Sequence, residues 1–269
     1  MTLVATKLRY CLKNRKVVKV ITGLSNFDVD SIVKTVKAAE IAGATYVDVA
    51  SSPKLVKILK SITNLPICVS SIEPKDLYKC LLAGADIFEV GNFDHFYSKN
   101  IYISGPQIIN LVREVKSFLN DKPLCVTIPH TLLLDEQVDL VRKIAKSGVT
   151  MVQTEGYISK NKTILDSDSL IVQSTHLSSC ALSTSYILSR QTSLPVIASS
   201  GLSYISAPIA IACGASGIGI GSALLNYKSV SRQAEYINQL TSSLDMSDTN
   251  MHFSCMYTSK VSDMFSIYN

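Results

Sequence analysis

Gly214-Ala215-Ser216-Gly217-Ile218-Gly219-Ile220-Gly221-Ser222-Ala223-Leu224-Leu225 reads as a short buried strand that turns at once into a helical start. Alternate glycines weaken a strand, so Gly217, Gly219 and Gly221 need a reason, and close approach of backbone to a ligand supplies one. A helix start leaves unpaired N–H groups and a partial positive charge, which together suit a phosphate. Upstream, Leu194-Pro195-Val196-Ile197-Ala198-Ser199-Ser200-Gly201-Leu202 is a second strand that ends in a small-residue turn. In (β/α)8 barrels the loops after strands seven and eight often form a phosphate grip. Ser200, Gly201, Leu202, Gly221 and Ser222 are therefore the candidate phosphate-binding residues. The competing reading is two glycine-rich strand ends packed tightly, and the rest of the chain decides between them.

Working outward, short apolar runs alternate with longer segments of helical period, the signature of parallel βα units. Strands are expected near Val17–Thr22, Tyr46–Ala50, Pro66–Ser70, Ile87–Gly91, Leu124–Ile128, Met151–Glu155, Val196–Ser199 and Gly217–Gly221. Helices between them are expected near Asp28–Ala42, Pro53–Ser61, Pro74–Ala83, Gly105–Leu119, Leu134–Ser147, Thr175–Gln191, Ser206–Cys213 and Val230–Leu244. Eight such units close a single α/β TIM barrel over residues 17–244, with a leading segment at 1–16 and a tail at 245–269.

Two quasi-repeats orient the strands. The even strands follow Gly43, Gly84, Gly148 and Gly214, each read as the left-handed residue just past a helix end. Three of the odd strands begin with or directly follow Pro66, Pro123 or Pro195. Five residues on from the glycines stand Asp48, Glu89, Gln153 and Gly219; seven on stand Ala50, Gly91, Glu155 and Gly221. Barrel interiors are built in layers of four side chains from alternate strands, so these quartets read as two successive layers. Val47, Val49, Phe88, Val90 and Val152 then face the helices. Three polar residues in one layer are costly unless paired. The upper layer is small except for Glu155, which leaves a hollow at the mouth with one carboxylate reaching into it.

Lys19, in the middle of the first strand, belongs to the same problem. Facing the helices it would be a buried, unpaired cation; facing inward it meets Asp48 and Glu89, which would keep it charged. A structural ion pair and a catalytic lysine are both open at this point. His130, in Ile128-Pro129-His130-Thr131 after strand five, is a candidate acid or base. Asn26-Phe27-Asp28 and Asn92-Phe93-Asp94 read as helix lead-ins with an Asp cap. The four histidines lack ligand spacing with Cys or acidic residues, so no metal is expected. A Ser or Cys nucleophile motif and a dinucleotide fingerprint are absent too, and no cofactor is expected.

A chain of 269 residues, 47% hydrophobic and 17% charged, has ample material for a large core and is not of the disordered class. Six Lys or Arg lie between Lys7 and Lys19 with no acid among them. Without aromatic interleaving, and with a strand starting at Val17, they read as a leading segment that covers the bottom of the barrel. A nucleic-acid arm or a transit peptide is the competing reading. No run approaches the roughly 18 apolar residues of a membrane span. Seven cysteines without a CxxC pair argue for reduced, buried thiols.

Val18-Lys19-Val20-Ile21-Thr22-Gly23-Leu24-Ser25-Asn26-Phe27-Asp28, Glu89-Val90-Gly91-Asn92-Phe93-Asp94, Val126-Thr127-Ile128-Pro129-His130-Thr131-Leu132, Gln153-Thr154-Glu155-Gly156 and Ala198-Ser199-Ser200-Gly201-Leu202 together resemble an uncharacterised family encoded in algal plastid genomes and in cyanobacteria. The likeness runs over roughly residues 17–244 and leaves out the tail, with His252 and Cys255. It implies a phosphate-binding TIM barrel, in outline like thiazole synthase and indole-glycerol-phosphate synthase, and a soluble protein of the plastid stroma. It implies no particular reaction. The chain departs from the family at Tyr157-Ile158-Ser159, where Gly and Thr or Ser are usual. The expected function is that of an enzyme acting on a small phosphorylated metabolite, an isomerase, lyase or synthase using proton transfer or imine chemistry at the barrel mouth. Glu155, Lys19, Asp48, Glu89 and His130 are its candidate catalytic residues. The rival is a non-catalytic sensor of a phosphorylated effector or a partner-binding barrel. Neither nucleic acid nor membrane is an expected partner, and the oligomeric state is open.

Overall fold

The computed structural model describes residues 3–91, 93–97, 99–156 and 169–245, with the side chains of Asp94, His95 and Asp245 left aside. The Tyr157–Ser159 departure, Asn92 and the tail from 246 onward lie outside the described residues. Eight parallel strands close in sequential order: β1 Val17–Ile21, β2 Tyr46–Ala50, β3 Ile67–Ser71, β4 Ile87–Val90, β5 Leu124–Ile128, β6 Met151–Thr154, β7 Val196–Ser199 and β8 Gly217–Ile220. A leading helix, α1 Leu3–Lys13, precedes them. The crossovers carry α2 Val29–Ile41, α3 Pro53–Lys60, α4 Pro74–Leu82, the short α5 Asp94–Tyr97 with α6 Gly105–Leu119, α7 Leu134–Ala145, α8 Leu170–Gln191 and α9 Ala207–Ala212. After β8 come a 3₁₀ turn, Ser222–Asn226, and α10 Val230–Asp245.

Local chemistry sets most of these boundaries. Asp28 caps α2 by accepting from the Asp30 N–H, and Ser52 caps α3 with Pro53 in the first turn, where its missing N–H costs nothing. The second Asn-Phe-Asp copy differs from the first: Phe93 is wholly buried, whereas Phe27 is exposed. Gly43, Gly84, Gly148 and Gly214 all have positive φ. At three of these ends the residue after the glycine donates back into the helix, Ala44 to Ala39, Ala85 to Cys80 and Ala215 to Ala210, closing the turn as a left-handed glycine cap does. Two expectations need correcting. α8 begins at Leu170, a full turn and more before Thr175, because Ser169 accepts from the Val172 N–H and starts the helix there. The helical start after β8 is a five-residue 3₁₀ turn, not an α-helix.

The outward residues Val47, Val49, Phe88, Val90 and Val152 pack with the helices in one large core. A second, separate apolar cluster fills the lower barrel interior: Val17, Tyr46, Cys68, Ile87, Cys125, Met151 and Ile197, closed from below by Leu8 and Leu12 of α1. The six cysteines among the described residues are free thiols. No helix among the described residues is long and apolar enough to cross a membrane.

Gly217 and Gly219 of β8, and Gly221 just after it, have a packing reason beside the approach of a ligand. A Cβ on Gly217 would stand 2.3 Å from Val17 Cβ and 2.5 Å from Val17 O. One on Gly219 would stand 2.9 Å from Ser199 Oγ, and one on Gly221 3.2 Å from Ile21 Cβ. Neighbouring strands therefore use the space that β8 gives up, and only Gly219 and Gly221 also border a cavity.

Candidate active site

Above the apolar plug the barrel interior is charged. Lys19 points inward: its Nζ is 2.6 Å from Asp48 Oδ2, 2.6 Å from Glu89 Oε2 and 2.7 Å from Gln153 Oε1. An ammonium has three N–H donors; two have hydrogen-bond acceptors here, Glu89 Oε2 and Gln153 Oε1, while Asp48 Oδ2 is held by charge alone and accepts no hydrogen bond. Ser70 Oγ donates to Asp48 Oδ1 at 2.7 Å, and Thr127 Oγ1 to Glu89 Oε1 at 2.8 Å. The Gln153 amide donates to Glu89 Oε1 at 3.0 Å and to Thr127 Oγ1 at 3.2 Å. Burial, the largest influence on Lys19, lowers its pKa, but Asp48 and Glu89 outweigh it and the pKa ends well above the ordinary value. Burial, then repulsion from Glu89, raises the Asp48 pKa against the pull of Lys19. Asp48, Cys68 and Glu89 bring ligand-type atoms within 4.8 Å of one another. Lys19 Nζ already stands between the two carboxylates as their cation, and the Cys68 thiol is pushed well up by burial.

Lys19, Asp48 and Glu89 have no exposed surface and do not reach the mouth. This corrects the expectation that they would touch a reacting group directly: Gln153 and Thr127 stand between them and the cavity. The cavity has a volume of about 610 Å³. Its floor is Thr127, Gln153, Ser199 and Gly219; its walls are Thr154 and Glu155 after β6, Ser200, Gly201 and Leu202 after β7, Gly221, Ser222 and Ala223 after β8, and residues 23–26 after β1. All five candidate phosphate-binding residues thus border one space together with Glu155. Among the described residues, the backbone N–H groups of Gly201, Leu202, Ser222 and Ala223 donate no hydrogen bond. Ser200 and Gly201 both have positive φ, 85° and 71°. Left-handed backbone strains a serine by about 1–3 kcal/mol and clusters at ligand clamps. The Thr154 hydroxyl ties the loop down, donating to Ser199 O and accepting from Ser199 N–H.

Glu155 is not an isolated carboxylate. Three groups converge on its Oε2: the Tyr97 hydroxyl at 2.7 Å, the His130 backbone N–H at 3.2 Å and His130 Nδ1 at 2.8 Å. The Tyr97 ring packs edge-on against the His130 ring and stacks on Tyr102. Gly91 makes room below, since a Cβ there would stand 2.7 Å from Thr127 Oγ1 and 2.9 Å from Glu89 Oε1.

Sequence reasoning missed Tyr97 and the hydroxyl tier. Ser70, Thr127 and Ser199 each lie four residues after the prolines at 66, 123 and 195, so counting from those prolines would have found them. Tyr97 carries no such mark, because it comes from the loop after β4 and reaches Glu155 only through the fold.

The sequence profile of a family described as "Protein of unknown function (DUF561)" matches residues 3–250. An uncharacterized protein ycf23 from Antithamnion sp. is 46% identical over 245 residues, 89% of this chain and 88% of the relative. The ycf23 protein of Cyanophora paradoxa is 37% identical over 242 residues, 90% of this chain and 98% of the relative. Among solved structures, (S)-3-O-geranylgeranylglyceryl phosphate synthase from Thermoplasma acidophilum, in complex with sn-glycerol-1-phosphate, superposes with a TM-score of 0.59 at 15% identity. It covers 91% of this chain and 99% of its own. A likeness of that degree is one of fold.

Proposed function

The chain belongs to this family of proteins of unknown function, and from that premise we propose that it is an enzyme of proton transfer on a small phosphorylated metabolite. The observation that carries the reading is one cavity joining unpaired backbone N–H groups to a carboxylate held by a histidine. The phosphate sits on the N–H groups of Ser200, Gly201, Leu202, Gly221 and Ser222, and the reacting carbon faces Glu155. Glu155 is the catalytic residue that takes and returns the proton; His130 and Tyr97 are positioning residues acting through it. Lys19, Asp48 and Glu89 act one step further off, by locking the Gln153 amide and the Thr127 hydroxyl that form the floor. Imine chemistry fits less well than proton transfer, because Lys19 is sealed and held by two ion pairs and by the Gln153 amide oxygen. An isomerase, and a lyase or synthase that passes through an enolate, share this first step. The neighbour solved with sn-glycerol-1-phosphate supports the phosphorylated class of ligand. The resemblance to plastid-encoded open reading frames, and relatives bearing the name ycf23, support a place in the plastid stroma.

The test is solvent exchange. A panel of phosphorylated aldoses, ketoses and keto acids is incubated with the protein in heavy water and followed by proton NMR. At least one compound is expected to lose a C–H signal next to its carbonyl with wild type and to keep it with Glu155→Gln, while both proteins bind it. Binding without exchange by wild type across the panel would put the sensor reading first.

A further inference from the structure

We propose that the cleft at the bottom of the barrel, between α1 and the loops entering β5 to β8, is a second anion site that takes a small polyanion of the diphosphate type. This cleft has a volume of about 730 Å³ and lies at the end opposite to the mouth. One wall is basic: Arg9 and Lys13 on α1, and Arg15 just after it. Asp121 is the one acid in the lining. Among the described residues, Arg9, Lys13 and Arg15 have no ion-pair partner, and the hydroxyls of Ser193 and Ser216, which line the same cleft, have no hydrogen-bond partner.

Two ordinary explanations account for part of this wall and leave the rest. A lysine in the last turn of a helix complements its dipole, which covers Lys13. Arg9 stands a turn earlier, outside that effect. Arg15 has φ of 57°, the left-handed position just past a helix end, which this chain gives to Gly43, Gly84, Gly148 and Gly214 at four other helices. An arginine there is strained where glycine is not, so its side chain has a use that offsets the strain. The use consistent with its place is charge in the cleft. Three cations around a space of this size exceed what a single phosphate needs, and a diphosphate matches them in charge and in reach. Since Leu8 and Leu12 of the same helix close the lower core, a ligand held by Arg9 and Arg15 also pins α1 to the barrel.

The test uses calorimetric titration of the full chain with inorganic pyrophosphate. Ser222→Asp places a negative charge at the mouth and removes anion binding there, so that only the lower cleft is read. In that background one saturable site is expected, weakened at least tenfold by Arg9→Gln with Arg15→Gly. Arg15→Gly relieves backbone strain, so this variant stays folded, and pyrophosphate no longer raises its melting temperature. Lys7→Gln, an exposed α1 charge outside the cleft, leaves the affinity unchanged. The inference is overturned if Ser222→Asp shows no saturable binding, if the arginine changes leave binding intact, or if Lys7→Gln weakens it equally, which would mark a diffuse basic surface.

Discussion

Lys19 shows how much a single buried residue decides. Two carboxylates share one ammonium, so the fully ionised cluster has one surplus negative charge in a dry interior. Breaking a buried pair by removing one partner costs about 3–5 kcal/mol. Lys19→Met is expected to cost that much in urea unfolding, because it leaves both acids without their cation. Asp48→Asn is expected to cost less than about 2 kcal/mol, since it removes the surplus charge and keeps a partner for Ser70. A neutral Lys19→Met would mean that the ion pairs contribute nothing net. The pH dependence has an unusual sign. The folded-state pKa of Asp48 is raised, so the folded protein binds more protons than the unfolded chain above the ordinary carboxyl range. That contribution is fully present below the unfolded pKa and is lost as pH rises through the folded one. Wild type is therefore expected to gain on Asp48→Asn in stability as pH falls towards the ordinary carboxyl range. A difference that grows towards pH 8 would contradict the assigned direction. At Glu155, three groups converge on Oε2, from Tyr97 and from the backbone and ring of His130. Glu155→Gln is expected to lower stability by about 1–3 kcal/mol through loss of charge-assisted hydrogen bonds. Tyr97→Phe, which removes one donor and keeps the ring packing, is expected to cost about 1 kcal/mol and to slow solvent exchange without weakening phosphate binding.

Among elements, β8 is the one whose composition looks least like a strand and whose neighbours explain it best. Each of its glycines lies against a different obstacle, and the obstacles differ in stiffness. At Gly217 a methyl group would run into the Val17 backbone as well as its side chain, whereas at Gly219 it would meet the Ser199 hydroxyl arm. Gly217→Ala is thus expected to destabilise by about 3 kcal/mol or more, near the upper end of overpacking costs. Gly219→Ala should cost about 1 kcal/mol, since a serine can rotate away. Thermal melting of the two variants separates them, and equal losses would mean that β8 shifts as a unit. Gly201 is a third kind of case, with positive φ and Leu177 O 2.0 Å from where a Cβ would stand, so α8 itself dictates a glycine there. Close packing and the proposed grip thus demand the same residue at the same place.

At the scale of the whole molecule the barrel is two cores separated by a cylinder of backbone. The outer core binds helices to sheet; the inner one is closed at its lower end by α1. Leu8 and Leu12 lie one turn apart on α1 and enter the same plug, so their losses are not independent. Leu12→Ala is expected to cost about 2–4 kcal/mol. Adding Leu8→Ala should cost less than its own single value once the helix has lost its hold. Strict additivity in urea unfolding would show that α1 stays seated and that each leucine merely leaves a void. From bottom to top the interior runs apolar plug, ion cluster, hydroxyl tier and open mouth, and only the last of these meets solvent.

The sequence by itself determined the barrel, its strand and helix order and the inward set of the even strands. Period, glycine caps and proline entries are local signals, and parallel βα closure leaves few alternatives. Asp48, Glu89, Gln153 and Glu155 were legible because a period of two fixes the face once one residue of a strand is placed. Lys19 was not settled by such counting, since β1 lacks either marker; its direction followed only from the cost of burying an unpaired cation. Tertiary structure alone decided that Lys19 is sealed from the mouth, that Tyr97 and His130 converge on Glu155, and that Gly217, Gly219 and Gly221 make way for Val17, Ser199 and Ile21. Each of these is a contact between segments far apart in the chain. Its existence depends on barrel stagger and loop path, distances of a few ångströms that no local pattern encodes.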